Sequence, residues 1–396
     1  MIKKKLRKAP LLFNLLKKGK RVIHKTIFLV IAVFTKVDKN KIVFKSFNGK
    51  SYSCNPCAIS EELYKQYSNM QIVWLFNHPH DKVDSVPSHI CKVKNGSMKA
   101  LYHQYTAKFW IDNFQKDKST FKRKKQIYIQ TWHGDRAFKK ILFDSGSEKN
   151  KDPNRLIENH SCDLMVAGSS FGEKLLRSAF RYHGKILDYG SPRNDKLVNQ
   201  NQTMLNQIKL RLGINKETKV LLFAPTFRKE SQDKTQKINE LDLNEVLKTL
   251  EKNSKFNWIC LTRAHSSSRK LEFEMNDYDK IIDVSQYEDM ADLLQITDFL
   301  ITDYSSSAGD FVLRKKPIIL FQPDKEEYEN KDRNFYIPIE DTPFFTAESQ
   351  KELIHWIENV EKEKVIQNCE EIMNFYGFYE TGNASKKVVE YIASKF

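Results

Sequence analysis

Cysteine is scarce in this chain: there are six among 396 residues, at positions 54, 57, 91, 162, 260 and 369. They are too few and too scattered for a disulfide framework in a chain this long, and they indicate a reducing compartment. Cys54 and Cys57 form a lone Cys-x-x-Cys pair, which supplies only two of the four ligands that a zinc site needs. The start of a helix at Asn-Pro is therefore preferred to a redox or metal site.

Acidic residues are absent from the first 26 positions, which carry ten Lys or Arg. These cations are interleaved with leucines, a pattern typical of a basic amphipathic helix at a membrane interface. The apolar stretch at 26–35 has about half of the ~20 residues that span a bilayer, and no small-residue cleavage site follows it. We therefore expect residues 1–38 to attach the protein peripherally to the cytoplasmic face of the cell membrane. The alternative is a solvated basic tail followed by a first core strand.

The net charge of +16 predicts attraction to an anionic partner. Acidic lipid, phosphate-bearing substrates and nucleic acid all have the required charge. A non-catalytic protein that binds nucleic acid is the rival of a different class. It is disfavoured, because the densest basic run is combined with aliphatic leucines, which suit a lipid surface.

Short apolar runs alternate with helical patterns from residue 41 onward, which predicts an α/β protein with covered parallel sheets. The apolar periodicity lapses near 199–203 and then resumes, so two Rossmann-like domains are expected, at 39–200 and 201–396. We leave open that the last helix packs back on the N-terminal domain. Ligands of such folds bind in the cleft at the carboxyl ends of the strands. The expected strands are 42–44, 71–76, 108–112, the run from 127, 219–224, 257–262, 280–284, 298–302 and 317–321.

Four of the expected strands end in residues suited to phosphate chemistry. A histidine after a strand can remove a proton near neutral pH, and hydroxyls at a helix start favour phosphate. Each residue alone has a structural explanation, such as a packed histidine or a helix cap. Together they describe a pocket for a diphosphate with a candidate base. The residues are Trp132, His133 and Gly134 in the first group, Thr226 and Arg228 in the second, Arg263 and His265 in the third, and Asp303, Ser305 and Ser306 in the fourth.

Six motifs in this order resemble those of the CDP-glycerol glycerophosphotransferases, the teichoic acid primases and polymerases. They are Trp-His-Gly at 132–134, Gly-Ser-Pro-Arg-Asn-Asp at 190–195, Ala-Pro-Thr-Phe-Arg at 224–228, Arg-Ala-His at 263–265, Thr-Asp-Tyr-Ser-Ser at 302–306 and Lys-Pro-Ile-Ile-Leu-Phe-Gln-Pro-Asp at 316–324. The resemblance covers roughly residues 40–375. It implies a GT-B fold with a central cleft, a membrane-associated N-terminal region and a cytidylyl donor on the second domain.

The resemblance also implies roles for single residues. His133 corresponds to the base that activates the acceptor, and His265 occupies the position of the family's second essential histidine. Thr226, Arg228, Arg263, Ser305 and Ser306 are expected to hold the donor diphosphate. Further contacts, including those to the acceptor, are expected from Trp132, Gly134, Asp135, Lys139, Arg193, Asp303 and Arg333.

The expected reaction is transfer of glycerol phosphate from CDP-glycerol to a hydroxyl of a lipid-linked teichoic acid or capsule polymer, with release of CMP. Transfer of ribitol phosphate or of a sugar from another nucleotide donor is the alternative. The chain departs from the family pattern at 135–139, where Thr-Pro-Leu-Lys is usual, at 307–310 and at 341–344. The first departure leaves the acceptor open. No cofactor is expected, and no acidic cluster has the spacing of a metal site, so no metal cage is predicted.

Overall fold

In a computed structural model, the chain forms two parallel β-sheets. The structure describes residues 10–82, 85–116, 119–136, 138–146, 158–226, 241–263, 280–326, 328 and 334–396. The first sheet has the order β3-β2-β1-β4-β5-β6-β7 and the second β10-β9-β8-β11-β12-β13. The strands are β1 (Asp38–Lys45), β2 (Gln71–Phe76), β3 (Cys91–Lys94), β4 (Ala107–Asp112), β5 (Ile127–Gln130), β6 (Leu164–Val166), β7 (Lys185–Leu187), β8 (Lys219–Phe223), β9 (Trp258–Thr262), β10 (Ile281–Asp283), β11 (Phe299–Thr302), β12 (Ile318–Phe321) and β13 (Thr346–Ala347).

Both faces of each sheet are covered by apolar clusters. Successive side chains of a strand point to opposite sides, so one strand contributes to two clusters. In β1, Ile42 and Phe44 enter one apolar cluster while Val43 enters another on the opposite face. In β8, Val220 and Leu221 are divided in the same way between two clusters of the second sheet. The predicted α/β class with covered parallel sheets is thus confirmed.

Helices connect the strands and cover the sheets. The described helices are α1 (Pro10–Phe34), α2 (Cys54–Gln66), α3 (Met98–Thr106), α4 (Glu158–Ser161), α5 (Ser170–Phe180), α6 (Asp195–Val198), α7 (Gln202–Arg211), α8 (Leu243–Ser254), α9 (Met290–Ile296), α10 (Ser307–Phe311), α11 (Gln350–Asn359), α12 (Lys362–Tyr376) and α13 (Ala384–Ala393). Cys54 and Cys57, both buried as free thiols, lie in the first turn of α2.

The C-terminal helix α13 returns to the first sheet. Its Val388, Val389 and Ile392 join the apolar cluster of β1 and β2. Asp195 accepts hydrogen bonds from the backbone N–H groups of Ala384 and Ser385, which begin α13. The chain therefore crosses between the two sheets twice, and the domain boundaries at 38 and 200 stay predictions.

Residues 26–34 form the end of helix α1, so the alternative interpretation of the 26–35 stretch as a core strand is wrong. One face of the helix is anchored, because the Phe28 ring packs edge-on against Tyr105 at 5.1 Å between centroids. Arg123 donates to the carbonyl of Thr35 just beyond the helix end, at 2.7 Å. Among the described residues, no helix combines the length and apolar character needed to span a membrane.

Candidate active site

His133 follows β5 and is held in one tautomer by the backbone. Its Nδ1 lies 2.6 Å from the carbonyl oxygen of Asn113, which can only accept, so Nδ1 carries the proton. Nε2 is then the nitrogen with a free lone pair. The imidazole lies among aromatic rings, with Trp132 at 4.2 Å, Phe47 at 5.2 Å and Phe114 at 6.0 Å between centroids. The geometry suits a group that accepts a proton through Nε2.

Two bulky residues beside His133 have left-handed backbone conformations, which such side chains rarely adopt. Phe47 has a φ of 43° and Trp132 a φ of 51°. Hydrogen bonds hold both, since the Phe47 N–H donates to the Asn113 side chain at 2.7 Å and the Trp132 N–H donates to Gln130 at 2.9 Å. Strained backbone that neighbours fix in this way is characteristic of functional sites.

Burial lowers the pKa of His133 to about 4. The charge of Arg193 acts in the same direction, whereas the hydrogen bond to Asn113 and the charge of Asp112 oppose it. The imidazole is therefore neutral at physiological pH, as a proton acceptor must be.

The free energy of unfolding should therefore contain a pH-dependent part due to His133. The unfolded chain takes up a proton as pH falls through about 6.5, whereas the folded protein does so only near 4. The unfolded state binds more protons between these values, so stability should fall as pH drops from about 6.5 to about 4, by at most about 3 kcal/mol. Other titrating groups contribute to both proteins, so urea unfolding at several pH values should show the His133 part as a difference in slope between the wild type and His133→Asn. Equal slopes in both proteins would contradict the assignment.

Gly134 brings the first sheet into contact with the second. A Cβ atom at this position would lie 2.9 Å from the Ser306 Oγ, closer than real Cβ contacts allow. Ser306 precedes α10, and the neighbouring hydroxyls of Ser305 and Ser307 are hydrogen-bonded at 2.8 Å. Since α10 has only five residues, its dipole is small, and a phosphate here would depend mainly on the hydroxyls and backbone N–H groups of the turn.

Thr226 and Asp303 connect the ends of β8 and β11. The backbone N–H of Thr226 donates to both carboxylate oxygens of Asp303, at 2.9 and 3.0 Å, and its hydroxyl donates to the same carboxylate at 3.1 Å. Asp303 is fully buried, so it fixes these two loops. The hydroxyl proton of Thr226 is therefore used inside the protein.

Arg263 and Lys139 are two further predicted cations, and they contact different parts of the protein. Arg263 follows β9 and donates to the carbonyl of Tyr287 at 3.0 Å, while burial lowers its pKa. Lys139 places its ammonium 4.6 Å from the centre of the Tyr328 ring. Its neighbour Lys140 donates its backbone N–H to the carbonyl of Asn334 at 2.8 Å, a further contact between the halves of the chain.

Asp135 and Arg193 are buried in protein contacts. Asp135 accepts the Gly168 N–H at 2.6 Å, and Arg193 donates to Asp310 through Nε and Nη2 at 3.0 and 2.8 Å. Arg136, for which no role was predicted, is fully enclosed and pairs with Asp310 and Glu380. These residues form a buried ion cluster of Asp135, Arg136, Arg193, Asp310 and Glu380.

The structure thus brings Gly134, which follows Trp132 and His133 in the chain, against Ser306, and it joins Thr226 to Asp303. Arg228, His265 and Arg333 lie outside the described residues, and the predicted roles of all site residues stay predictions. Sequence reasoning missed Asn113, although it directly follows the end of β4. Within the described ranges, no group of three or more His, Cys, Asp or Glu side chains is arranged to hold a metal ion.

Comparison with known proteins gives matches along nearly the whole chain. The teichoic acid poly(glycerol phosphate) polymerase of Bacillus spizizenii is 34% identical over 389 residues, covering 93% of this chain and 95% of that protein. The teichoic acid glycerol-phosphate transferase of Staphylococcus aureus is 31% identical over 388 residues, covering 94% of this chain and 98% of that protein. A variant of the wall teichoic acid polymerase TagF, soaked with CDPG, has a TM-score of 0.80 at 26% identity, with 96% and 98% of the two chains covered.

The structural similarity supports the α/β architecture with two parallel sheets. A family model described as CDP-glycerol:poly(glycerophosphate) glycerophosphotransferase matches residues 27–394. With this match and two relatives above 30% identity, the chain belongs to the CDP-glycerol:poly(glycerophosphate) glycerophosphotransferase family.

Proposed function

We propose that this protein transfers glycerol phosphate from CDP-glycerol to a hydroxyl of a lipid-linked teichoic acid or capsule polymer and releases CMP. We further propose a GT-B arrangement, in which the first domain binds the acceptor and the second binds the donor. The observation that carries this proposal is the contact of Gly134 with Ser306. It brings the residue next to His133 against a hydroxyl-rich turn of the opposite sheet, which supports a site shared by both.

In the proposed reaction the acceptor hydroxyl attacks the phosphorus that carries glycerol. The new O–P bond forms as the bond to CMP breaks in line, and Nε2 of His133 receives the hydroxyl proton. Ser305, Ser306 and Arg263 would neutralise the departing cytidylate, together with Arg228 and His265 from the predicted set. Such a transfer is accelerated mainly by positioning and by stabilisation of charge.

Helix α1 supports attachment to an anionic membrane surface on the cytoplasmic side. Val22 and Val33 are 64% and 76% exposed, although the opposite face of the helix packs on the protein. Exposed Met98 and Tyr102 lie on α3, which packs beside α1. Basic side chains flank this apolar surface, the combination that binds anionic lipid. The basic residues on α1 include Lys18, Lys20, Arg21 and Lys25.

The double substitution Val22→Glu and Val33→Glu should weaken binding to vesicles of anionic phospholipid by at least about 10-fold. Each valine should lose apolar burial of about 1.5 kcal/mol or more, and each new carboxylate is repelled by the lipid. Truncation of the helix is a poorer test, because it would also remove the packing of Phe28 on Tyr105. Vesicle cosedimentation measures the effect.

Leu210→Glu is the matched control. Leu210 is 78% exposed on α7 and should tolerate the change without loss of vesicle binding. Equal binding by the wild type and both variants would exclude α1 as the membrane-binding surface.

CMP release tests the proposed function itself. The protein is incubated with a lipid-linked acceptor and, separately, with CDP-glycerol, CDP-ribitol and UDP-sugars. We expect acceptor-dependent CMP release that is fastest with CDP-glycerol. Faster release from CDP-ribitol would change the cargo, and release of UDP alone would replace the proposed reaction by sugar transfer.

A further inference from the structure

Asp310 lies behind the contact between Gly134 and Ser306 and links the same two loops. Its Oδ1 accepts from Arg136 at 3.1 Å and from Asn194 at 2.9 Å. Its Oδ2 accepts from Nε and Nη2 of Arg193, at 3.0 and 2.8 Å. All four donors belong to residues 136–194, whereas Asp310 lies on α10, directly after the serine turn.

The carboxylate of Asp310 is saturated by these contacts. The side chain is enclosed, and each oxygen already accepts two hydrogen bonds from protein groups. It has no lone pair directed to a substrate. An effect of Asp310 on the reaction must therefore pass through the groups that it holds.

Gly309 provides the space for this arrangement. A Cβ at this position would lie 3.0 Å from the Cβ of Arg136, tighter than nearly all real contacts. The Arg136 guanidinium extends beyond this point to Asp310 and also pairs with Glu380 at 2.6 Å. Arg136 is two residues after Gly134, so its position determines where the His133 loop lies relative to α10.

We propose that Asp310 is a positioning residue for the phosphoryl transfer: through Arg136 and Arg193 it sets the distance between His133 and the Ser305–Ser306 turn. The inference rests on the proposed function, because it assumes that His133 and the serine turn act in the same transfer, one on the acceptor hydroxyl and the other on the donor diphosphate. Charge favours the assignment, since two buried guanidinium groups require a carboxylate partner at this point. Arg193 donates twice to Oδ2 while Arg136 and Asn194 donate to Oδ1, so donors on both oxygens fix the orientation of the carboxylate.

The test compares wild type, Asp310→Asn and Gly309→Ala. Asp310→Asn keeps the shape but removes the charge, whereas Gly309→Ala displaces Arg136 and leaves every charge in place. Alanine also favours a helix more than glycine does, so this variant should fold even if Asp310→Asn does not. We expect kcat for CMP release to fall by about 30-fold in Asp310→Asn and about 10-fold in Gly309→Ala. The KM for CDP-glycerol should stay within about threefold in both.

Combination with His133→Ala separates positioning from a merely structural role. Once the base is absent, its distance from the serine turn no longer matters, so adding Asp310→Asn should lower kcat by less than about threefold further. If the kcat of the double variant falls by the product of the losses in His133→Ala and Asp310→Asn, the proposal is overturned. An unchanged kcat in a folded Gly309→Ala variant would also overturn it.

A readout without turnover keeps the inference distinct from the proposed function. The ring ¹⁵N signals of His133, assigned by their loss in His133→Asn, should be those of a single neutral Nδ1–H tautomer in the wild type. Asp310→Asn or Gly309→Ala should shift or split them. Unchanged signals in both variants would refute the positioning role, whether or not the protein releases CMP. If the variants shift the signals but the wild type releases no CMP, only the proposed reaction would be refuted.

Discussion

Replacement of His133 by alanine is expected to lower kcat for CMP release by at least about 10²-fold. The imidazole is the neutral group whose lone pair is available, because Nδ1 donates to Asn113 and burial keeps the ring unprotonated. Alanine leaves no group that can receive the acceptor proton. Donor affinity should change by less than about threefold, because the expected diphosphate contacts lie on the opposite sheet.

His183→Ala is the matched control for this variant. His183 is exposed and lies in the turn after α5, so its removal should leave kcat unchanged. Circular dichroism and thermal unfolding establish that both variants fold. A loss below about 10-fold in folded His133→Ala would remove this residue from the mechanism.

The pH dependence of CMP release also tests the role of His133 as the proton acceptor. The acid limb of kcat/KM reports the free enzyme, so the limb due to His133 should lie near its pKa of about 4, well below the usual 6.5. The acid limb of kcat should lie higher, because the bound diphosphate is negative and stabilises the protonated imidazole.

Gly134→Ala is expected to lower kcat by about 10²-fold. The new Cβ would lie 2.9 Å from the Ser306 Oγ and 3.4 Å from its Cβ, so either the serine hydroxyl must turn away from its position or the two loops must separate. A shift of a few tenths of an ångström to 1 Å between reacting groups is enough for a loss of this order. Steady-state CMP release measures it.

Gly19→Ala serves as the control for the same chemical change. Nothing lies within 4 Å of a Cβ at Gly19, and the position is in helix α1. Its kcat should equal that of the wild type. If Gly134→Ala were equally active, the close approach of the two loops would have no part in the reaction.

The predicted strands coincide with apolar runs between helical patterns, and even the three-residue β10 was expected in this way. Four strands that were not predicted, β3, β6, β7 and β13, have two to four residues and carry no readable period. They become strands through pairing with a neighbour that is already in place. Which strand each of them pairs with is set by the tertiary fold and not by its own sequence.

The candidate site was predictable only in part, for a related reason. His133 and Ser306 stand at strand ends, and the fold class alone places such ends at one edge of a sheet. The buried ion cluster has no such signal, since Arg136 is separated from Asp310 by 174 positions and from Glu380 by 244. Asp135 and Arg193 were expected as possible substrate contacts, but partners distant in sequence surround their charges.

The most direct test of the central claim is a crystal structure of His133→Asn with CDP-glycerol bound. The diphosphate should lie within hydrogen-bond distance of Ser306, about 2.6–3.2 Å, with the glycerol-bearing phosphorus facing the side chain at position 133 across a gap that fits one hydroxyl. A diphosphate bound away from the serine turn, or a phosphorus screened from position 133 by other protein groups, would contradict it.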